Sequence, residues 1–283
     1  MSFSEYINRI GHLGIMVPDV DEAAEFYVNK LGFTFISRKL VIDPVDGAIV
    51  VAFVKLNNML IELFMPVSLR NEVITRKNGV YDHFAIDCGN VEMEYQVLKE
   101  KGLKLHKSTP DGAVDYLHLG CQGVNFSGSY GEVVEFCRTY DKDYKGVDVS
   151  KGWSHLAVKV LDLDKTTEFY ERLGFRKIKD GYIETPYGNT DVIFLELKGF
   201  ILEVIQFREI IDGPVIDTNT GIIDHFALDT SDAANALVAA KQEGFKVLTP
   251  VVKELNLFEK GIAYFVIEGP DGELIEINQV KKW

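Results

Sequence analysis

Four stretches of the chain share one order of hydrophobic patterns, first seen between residues 8 and 65. Arg9–Val17 is an apolar run closed by Pro18, which predicts a strand. Apolar residues at helical spacing then predict one buried helix face, at Ala23, Phe26, Tyr27 and Leu31. Three further runs predict strands, at Thr34–Val41, Ala48–Leu56 and Met59–Met65. The first stretch is therefore predicted to be a βαβββ module.

Capping residues support a helix in each stretch, because Asp, Asn and Ser side chains accept from the unpaired first-turn N–H groups. The predicted caps are Asp19 or Asp21, Asn90, Asp162 or Asp164, and Ser231. Glycines that tolerate a left-handed conformation follow each helix, at Gly32, Gly102, Gly174 and Gly244. Together these signals predict four helices of about three turns.

The chain contains an internal repeat, which is the signature of duplicated modules. The segment Ile10–Phe33 is written again at Trp153–Phe175, and a weaker pair occurs at Gly79–Gly102 and Gly221–Gly244. Residues 141–150 are short, polar and without periodicity, so they are the predicted linker. The sequence therefore predicts an α+β chain with a first domain at residues 1–140 and a second at residues 151–283. Pairing the first module with the second and the third with the fourth is simplest, although the first with the fourth is also possible.

Each module places one histidine in its first apolar run and one glutamate in its last strand. The histidines are His12, His83, His155 and His225, and the glutamates are Glu62, Glu135, Glu203 and Glu276. Each glutamate follows its histidine by 50, 52, 48 and 51 residues respectively. Period-two alternation puts Glu62 on the same apolar face as Leu60 and Phe64. A buried carboxylate without a partner costs several kcal/mol, so this pattern predicts a bound cation.

Two modules facing each other would supply two imidazoles and two carboxylates. This mixed nitrogen and oxygen set suits Zn, Ni, Co, Fe(II) or Mn and leaves positions open for water or substrate. A single buried histidine is usually a hydrogen-bonded core residue, and duplication could preserve one set without function. His106 and His118 have no counterparts and are interpreted as ordinary polar residues, and Cys137 as a core residue.

Composition narrows the possible partners. The net charge of −13 argues against nucleic acid and anionic membranes, which attract clustered Lys and Arg. The longest apolar run is too short to span a bilayer, and the first residues lack a secretory pattern. Three cysteines without CxxC spacing are typical of reduced thiols, so we expect a cytoplasmic protein. We also expect a monomer or homodimer with a small-molecule substrate.

HLGIMVPDVDEAAEFYVNKLGF, DHFAID, DHFALD, MLIELF and GPDGELIEI together resemble the vicinal oxygen chelate superfamily. This superfamily includes glyoxalase I, methylmalonyl-CoA epimerase, extradiol dioxygenases and antibiotic resistance proteins. The resemblance implies two tandem domains with curved mixed sheets that form metal-binding cups. It places one metal set on His12, Glu62, His83 and Glu135, and the other on His155, Glu203, His225 and Glu276. It also implies that Glu135 or Glu276 carries a proton beside a metal-bound carbonyl.

Departures from the family patterns limit the choice of reaction. The Arg and Asn positions that glyoxalase I uses for glutathione hold Met16 and Pro66, and Lys159 and Phe207 in the second half. Epimerases usually have Gln where Glu62 and Glu203 stand. Dioxygenases need a Tyr, which Tyr264 could supply, and a further His that is missing before Glu276. The sequence therefore predicts a glyoxalase-like metal-dependent lyase or isomerase, with a dioxygenase or a metal-free small-molecule binder as alternatives.

Overall fold

The structure is a computed structural model that describes residues 1–44, 47–73, 79–140, 151–185, 188–207 and 221–281. The predicted linker, residues 141–150, lies outside the described residues. The domain boundaries that depend on this linker therefore stay predictions.

Four βαβββ-like modules follow one another along the chain. The first comprises β1 (Ile7–Met16), α1 (Val20–Leu31), β2 (Thr34–Asp43), β3 (Gly47–Leu56) and β4 (Met59–Pro66), followed by the short α2 (Arg70–Val73). The second comprises β5 (Tyr81–Asp87), α3 (Val91–Glu100), β6 (Val114–Tyr116), β7 (Cys121–Ser127) and β8 (Val133–Thr139). The third comprises β9 (Trp153–Lys159), α4 (Leu163–Arg172), β10 (Arg176–Thr185), β11 (Gly188–Leu197) and β12 (Phe200–Phe207). The fourth comprises β13 (Ile223–Thr230), α5 (Ala233–Gln242), β14 (Lys246–Val247), β15 (Lys253–Leu255), β16 (Ile262–Glu268) and β17 (Leu274–Val280).

Side-chain caps begin the four long helices. Asp19 accepts from two first-turn N–H groups of α1, and Asn90 and Asp162 cap α3 and α4. The cap of α5 is Asp232 and not the predicted Ser231, because the Asp232 carboxylate accepts from the amide of Asn235. Both residue types can cap a helix, so the sequence left this boundary open by one residue.

The strands form two mixed sheets, and neither follows the simplest expected pairing of modules. Sheet A joins the first and fourth modules in the order β14–β16–β17–β13–β1–β4–β3–β2, with β15 beside β16. Sheet B joins the third and second modules in the order β10–β11–β12–β9–β5–β8–β7–β6. In each sheet the first strands of two modules pair antiparallel at the centre, β1 with β13 and β5 with β9. The α+β class with mixed sheets is confirmed.

Consecutive modules meet through their helices and sheet faces instead of their strand edges. Tyr27 of α1 is fully buried, stacks on Phe84 of β5 and donates to the Glu132 carboxylate at 2.8 Å. Tyr170 of α4 likewise donates to Glu273 at 3.1 Å. Because these apolar faces are buried against the next module, the first-strand edges remain available for the non-consecutive one. This packing is the physical reason why the first module pairs with the fourth and the second with the third, a pairing that the sequence had left open.

Candidate metal centres

The first–fourth site is the cluster in sheet A formed by His12, Glu62, His225 and Glu276. His12 Nε2 lies 3.3 Å from His225 Nε2 and 3.1 Å from Glu62 Oε2. The same Glu62 oxygen is 3.5 Å from His225 Nε2, whereas Glu276 Oε1 is 3.8 Å from His12 Nε2. Strand register produces this convergence, because Gly14 of β1 pairs with both Glu62 and His225.

The second–third site is the matching cluster in sheet B formed by His83, Glu135, His155 and Glu203. The two Nε2 atoms are 3.1 Å apart. Glu135 Oε2 lies 3.3 Å from His83 and 3.0 Å from His155, and Glu203 Oε2 lies 3.4 and 3.3 Å from them. All eight predicted side chains are thus brought together, four in each site, although each site takes them from different modules than the family resemblance implied.

The far nitrogen of each imidazole is also engaged. Asp224 and Asp82, each directly preceding its histidine, lie 3.1 Å from His225 Nδ1 and 2.9 Å from His83 Nδ1. The Ser154 hydroxyl is 3.1 Å from His155 Nδ1. Such partners fix the tautomer that presents Nε2 as a lone-pair donor, as metal-bound histidines require.

Asn278 completes this pattern at His12. Its Nδ2 lies 3.3 Å from His12 Nδ1, while its buried Oδ1 has no partner among the described residues. Asn278 also makes a side-chain hydrogen bond to Glu276 and so links His12 to that carboxylate. These partners of the imidazoles were not predicted from the sequence, although the repeated Asp-His pair of DHFAID and DHFALD was a signal for Asp82 and Asp224.

Charges inside the two clusters are strongly coupled. Burial alone would raise the pKa of Glu62, but hydrogen bonds and charge from His12 and His225 outweigh it and lower that pKa to about 2. The pKa of Glu135 is lowered to about 2 in the same way by His155 and His83. Burial opposes protonation of His155, yet the charge of Glu203 and the bond to Glu135 raise its pKa to about 9.

Glu276 differs from the other three glutamates. Burial raises its pKa, and the charges of His12 and His225 do not overcome that effect. Its Oε1 is buried and has no hydrogen-bond partner in the described part of the chain. The carboxylate of Glu276 is therefore the least engaged of the first–fourth site.

Both clusters have the chemistry of a divalent-metal site. Two imidazoles whose Nε2 atoms face each other at 3.1–3.3 Å cannot both stay neutral acceptors without a shared cation or proton. Groups of three donors that could hold one ion include His12, Glu62 and His225 in one site, and His83, His155 and Glu203 in the other. Cys137 forms a further buried group with Glu135 and His155. These nitrogen and oxygen donors fit the predicted Zn, Ni, Co, Fe(II) or Mn.

The two sites open into cavities of very different size. The first–fourth site faces a cavity of about 310 Å³, whose wall includes Met16, Phe64, Pro66 and Tyr264. The second–third site faces only about 50 Å³, closed by Tyr116, Leu119, Ile183 and Phe194. A cavity near 50 Å³ holds a water or two, whereas ligand pockets have volumes of about 300–1,000 Å³.

One pair of corresponding strand positions also differs between the two sites. Tyr264 pairs with Asn278 on β17, two residues beyond Glu276, and Gly123 pairs with Cys137, two beyond Glu135. The Tyr264 hydroxyl donates to the buried Asp43 carboxylate at 3.3 Å, and Lys253 lies 3.4 Å from the same oxygen. At Gly123, a Cβ would lie 2.0 Å from Glu135 Oε1, so the glycine makes room for that carboxylate.

The remaining predicted residues lie at the edges of these sites or away from them. Lys159 lies 3.5 Å from Asp82, next to the second–third site, and Phe207 ends β12. His106 contacts Ser108, and His118 stacks on Tyr182 near the exposed Glu184. Their interpretation as ordinary polar residues agrees with these contacts. None of the helices within the described ranges combines the length and apolar character needed to cross a membrane.

The chain belongs to the glyoxalase/bleomycin resistance protein/dioxygenase superfamily, whose sequence models match residues 11–117 and 152–277. Methylmalonyl-CoA epimerase of Homo sapiens is 33% identical over 128 residues, covering 42% of this chain and 71% of that protein. The uncharacterized Bacillus subtilis protein YwbC is 32% identical over 132 residues, covering 46% and 99%. The fold matches glyoxalase I of Zea mays with a TM-score of 0.70 at 18% identity, covering 99% of this chain and 95% of that one. The predicted superfamily and four-module fold are confirmed.

Proposed function

We propose that the chain is a divalent-metal-dependent lyase or isomerase that moves a proton at a carbon beside a carbonyl, and that the first–fourth site performs the reaction. This proposal rests on a compact donor set that lies beside a carboxylate oxygen without a hydrogen bond, at a ligand-sized cavity. His12, Glu62 and His225 converge within 3.1–3.5 Å, whereas Glu276 Oε1 stands apart without a hydrogen-bond partner among the described residues.

His12, Glu62 and His225 would hold the metal ion. A bound divalent ion supplies Lewis-acid stabilisation of the oxyanion that develops when the adjacent carbon loses a proton. Glu276 takes the proton and returns it, since it is buried in the same cluster and its Oε1 has no hydrogen-bond partner among the described residues. Glu135, the other predicted proton carrier, is held by both histidines of a closed site and has no comparable freedom.

The cavity suits a small carbonyl compound. Its wall is largely apolar, and the Tyr264 hydroxyl adds a polar group above Glu276. Burial, together with the charges of Glu276 and Asp43, raises the pKa of Tyr264, so the phenol stays protonated and keeps its hydrogen bond to the Asp43 carboxylate. The relative methylmalonyl-CoA epimerase of Homo sapiens supports this reaction class, because an epimerase is an isomerase.

A ring-cleaving dioxygenase is the second candidate, and Tyr264 is the observation that favours it. Among the described residues lining the first–fourth cavity, however, His12 and His225 are the only histidines, and both belong to the donor set. No further imidazole there is available for oxygen chemistry, so proton transfer remains the stronger proposal.

The test is exchange of the substrate α-proton for deuterium, followed by NMR in D₂O with protein loaded with Zn, Ni, Co, Mn or Fe(II). Substrates should include a thiohemiacetal of a 2-oxoaldehyde and a 2-methyl-branched acyl thioester. We expect Glu276→Gln to slow exchange by about 10²–10⁴-fold while metal content is kept.

The matched control is Glu135→Gln, which should leave exchange unchanged. Equal loss in both variants, or none in Glu276→Gln, contradicts the proposal. Oxygen uptake with catechols in the Fe(II)-loaded protein, without α-proton exchange, would establish the dioxygenase instead.

A further inference from the structure

A third cavity, of about 500 Å³, lies where the two sheets meet, and none of the eight donor residues lines it. Sheet A contributes the beginning of β1 and the β3–β4 turn. Sheet B contributes the beginning of β9 and the β11–β12 turn. This cavity shares no lining residue with the two metal-site cavities.

Its charge is opposite to that of the chain as a whole. Arg9, Lys55 and Lys198 line the cavity, and none of the described residues that line it is acidic, although the chain carries a net charge of −13. Three cations around one concave surface create a local positive potential that attracts anions.

All three cations have hydrogen-bond donors that the described residues leave unused. Lys55 makes no side-chain hydrogen bond or ion pair with the residues that the structure describes. Lys198 Nζ donates to the carbonyl of Ile7 at 2.6 Å, which leaves two further N–H groups. Arg9 is paired with Asp229 at 2.8 Å through Nε, so its terminal amino groups are the available ones.

Apart from Asn58 and two glycines, the rest of the wall is apolar and aromatic. Ile10, Leu60 and Phe200 line the cavity together with Trp153, whose ring packs edge-on against Phe200 at 5.3 Å. Trp153 is only 3% exposed, and its Nε1–H has no acceptor among the described residues. A ligand that suits this wall combines an anionic end with a flat apolar body.

The positive charge of Lys55 is absent from the corresponding position of the third module. Lys55 of β3 pairs with Thr34 and Leu60, and Glu196 of β11 pairs with the corresponding Arg176 and Ile201. Glu196 is neutralised there by Arg176 at 2.7 Å. The duplicated scaffold therefore tolerates the opposite charge at this position, and folding alone does not require the lysine.

We propose that this cavity binds a small organic anion, a carboxylate or phosphate attached to a planar apolar group. Lys55, Lys198 and Arg9 hold the anionic end, and the body lies against Trp153 and Phe200. On β4, Leu60 of this cavity precedes Glu62 by two residues and lies on the same face, so the new site adjoins the first–fourth site without sharing its ligands.

The test uses the fluorescence of Trp153, because Trp283 is the only other tryptophan and Trp283→Phe removes it. Metal-free protein is titrated with phenyl phosphate and with benzoate, and benzyl alcohol is the uncharged control. We expect a saturable change in emission, with at least one anion bound about tenfold or more tightly than the alcohol. The tighter of the two anions identifies the preferred anionic group.

Lys55→Glu should weaken anion binding by about tenfold or more, and Lys55→Gln by less. His225→Ala should leave it unchanged, which separates this site from the first–fourth site. Circular dichroism checks that each variant is folded, and Lys198→Gln provides an independent variant. The proposal would be overturned by the absence of saturable binding or by equal affinity for benzyl alcohol. Unchanged anion affinity in both Lys55→Glu and Lys198→Gln would also overturn it.

Discussion

The first–fourth and second–third sites carry the same four side chains in nearly the same geometry but have different surroundings. Their Nε2–Nε2 distances are 3.3 and 3.1 Å, yet their cavities measure about 310 and 50 Å³. Tyr264 stands in one where Gly123 stands in the other. The donor set therefore decides whether a metal fits, whereas the neighbouring strand positions and turns decide whether a substrate fits beside it.

The closed site owes its small volume to the connection between β6 and β7. Leu119 packs with Val192, Phe194 and Ile201 in a separate apolar cluster over the donors. Gly181 of β10 allows this approach, since a Cβ there would lie 2.7 Å from Leu119 Cδ2. In the first–fourth site the corresponding connection carries Leu257 and Phe258, which pack against Phe53 at the side of a larger cavity.

The largest expected effect is on activity. His225→Ala should reduce α-proton exchange by about 10³-fold or more, because it removes a metal ligand from the open site. His83→Ala, its matched control in the closed site, should change the rate less than about threefold. Equal losses in both variants would show that the second–third site also turns over substrate.

A cavity-forming substitution in the closed second–third site should make it more like the open first–fourth site. Leu119→Ala should destabilise the protein by about 2–5 kcal/mol, because Leu119 is 4% exposed and packs in a cluster with Val192, Phe194 and Ile201. It should also accelerate removal of the second–third metal by a chelator, measured in protein loaded with Co. Leu257→Ala is the control, and an effect of both variants on the same release phase would contradict the assignment.

The glycine beside His225 offers a sharper probe of the donor geometry. A Cβ at Gly14 would lie 2.1 Å from His225 Cε1, so Gly14→Ala must displace that imidazole. We expect about a 10–100-fold loss of metal affinity at the first–fourth site, comparable to losing an orienting partner. At the corresponding position Ala157 pairs with His83, and Ala157→Gly should leave affinity nearly unchanged. Calorimetric titration with Zn measures both, and unchanged affinity in Gly14→Ala would contradict the geometry.

The smallest effect expected is the pH dependence of the metal-free protein. The pKa of His155 is raised to about 9, so its stabilising contribution is complete below about pH 6.5 and is lost as the pH rises through 9. The pKa values of Glu62 and Glu135 are lowered to about 2, so their contribution is present above about pH 4.5 and is lost toward pH 2.

Thermal unfolding should therefore give the metal-free protein its highest midpoint between about pH 4.5 and 6.5. The zinc-loaded protein should lose less stability between pH 6.5 and 9, because metal binding already displaces the imidazole protons. A metal-free midpoint that rises over that interval would show that His155 is not protonated in the folded state.

The sequence predicted the positions of the donors better than their grouping. Repetition placed His12 and Glu62 at fixed points of a module, and alternation put Glu62 on the inward face. Which module faces which depends on long-range packing, such as Tyr27 against Phe84 and Glu132, and residue periodicity contains no signal for it. Cavity size was equally hidden, because Leu119 closes one site from a turn that has no regular pattern.

Each proposed metal site combines non-consecutive modules, and the metal content of two double variants tests this grouping. Elemental analysis should find two equivalents in the parent protein and one in His12→Ala/His225→Ala, because both residues belong to one site. His12→Ala/His83→Ala should lose both equivalents, because it disrupts both sites. One equivalent retained in His12→Ala/His83→Ala, with none in His12→Ala/His225→Ala, would contradict this grouping and restore the pairing of consecutive modules.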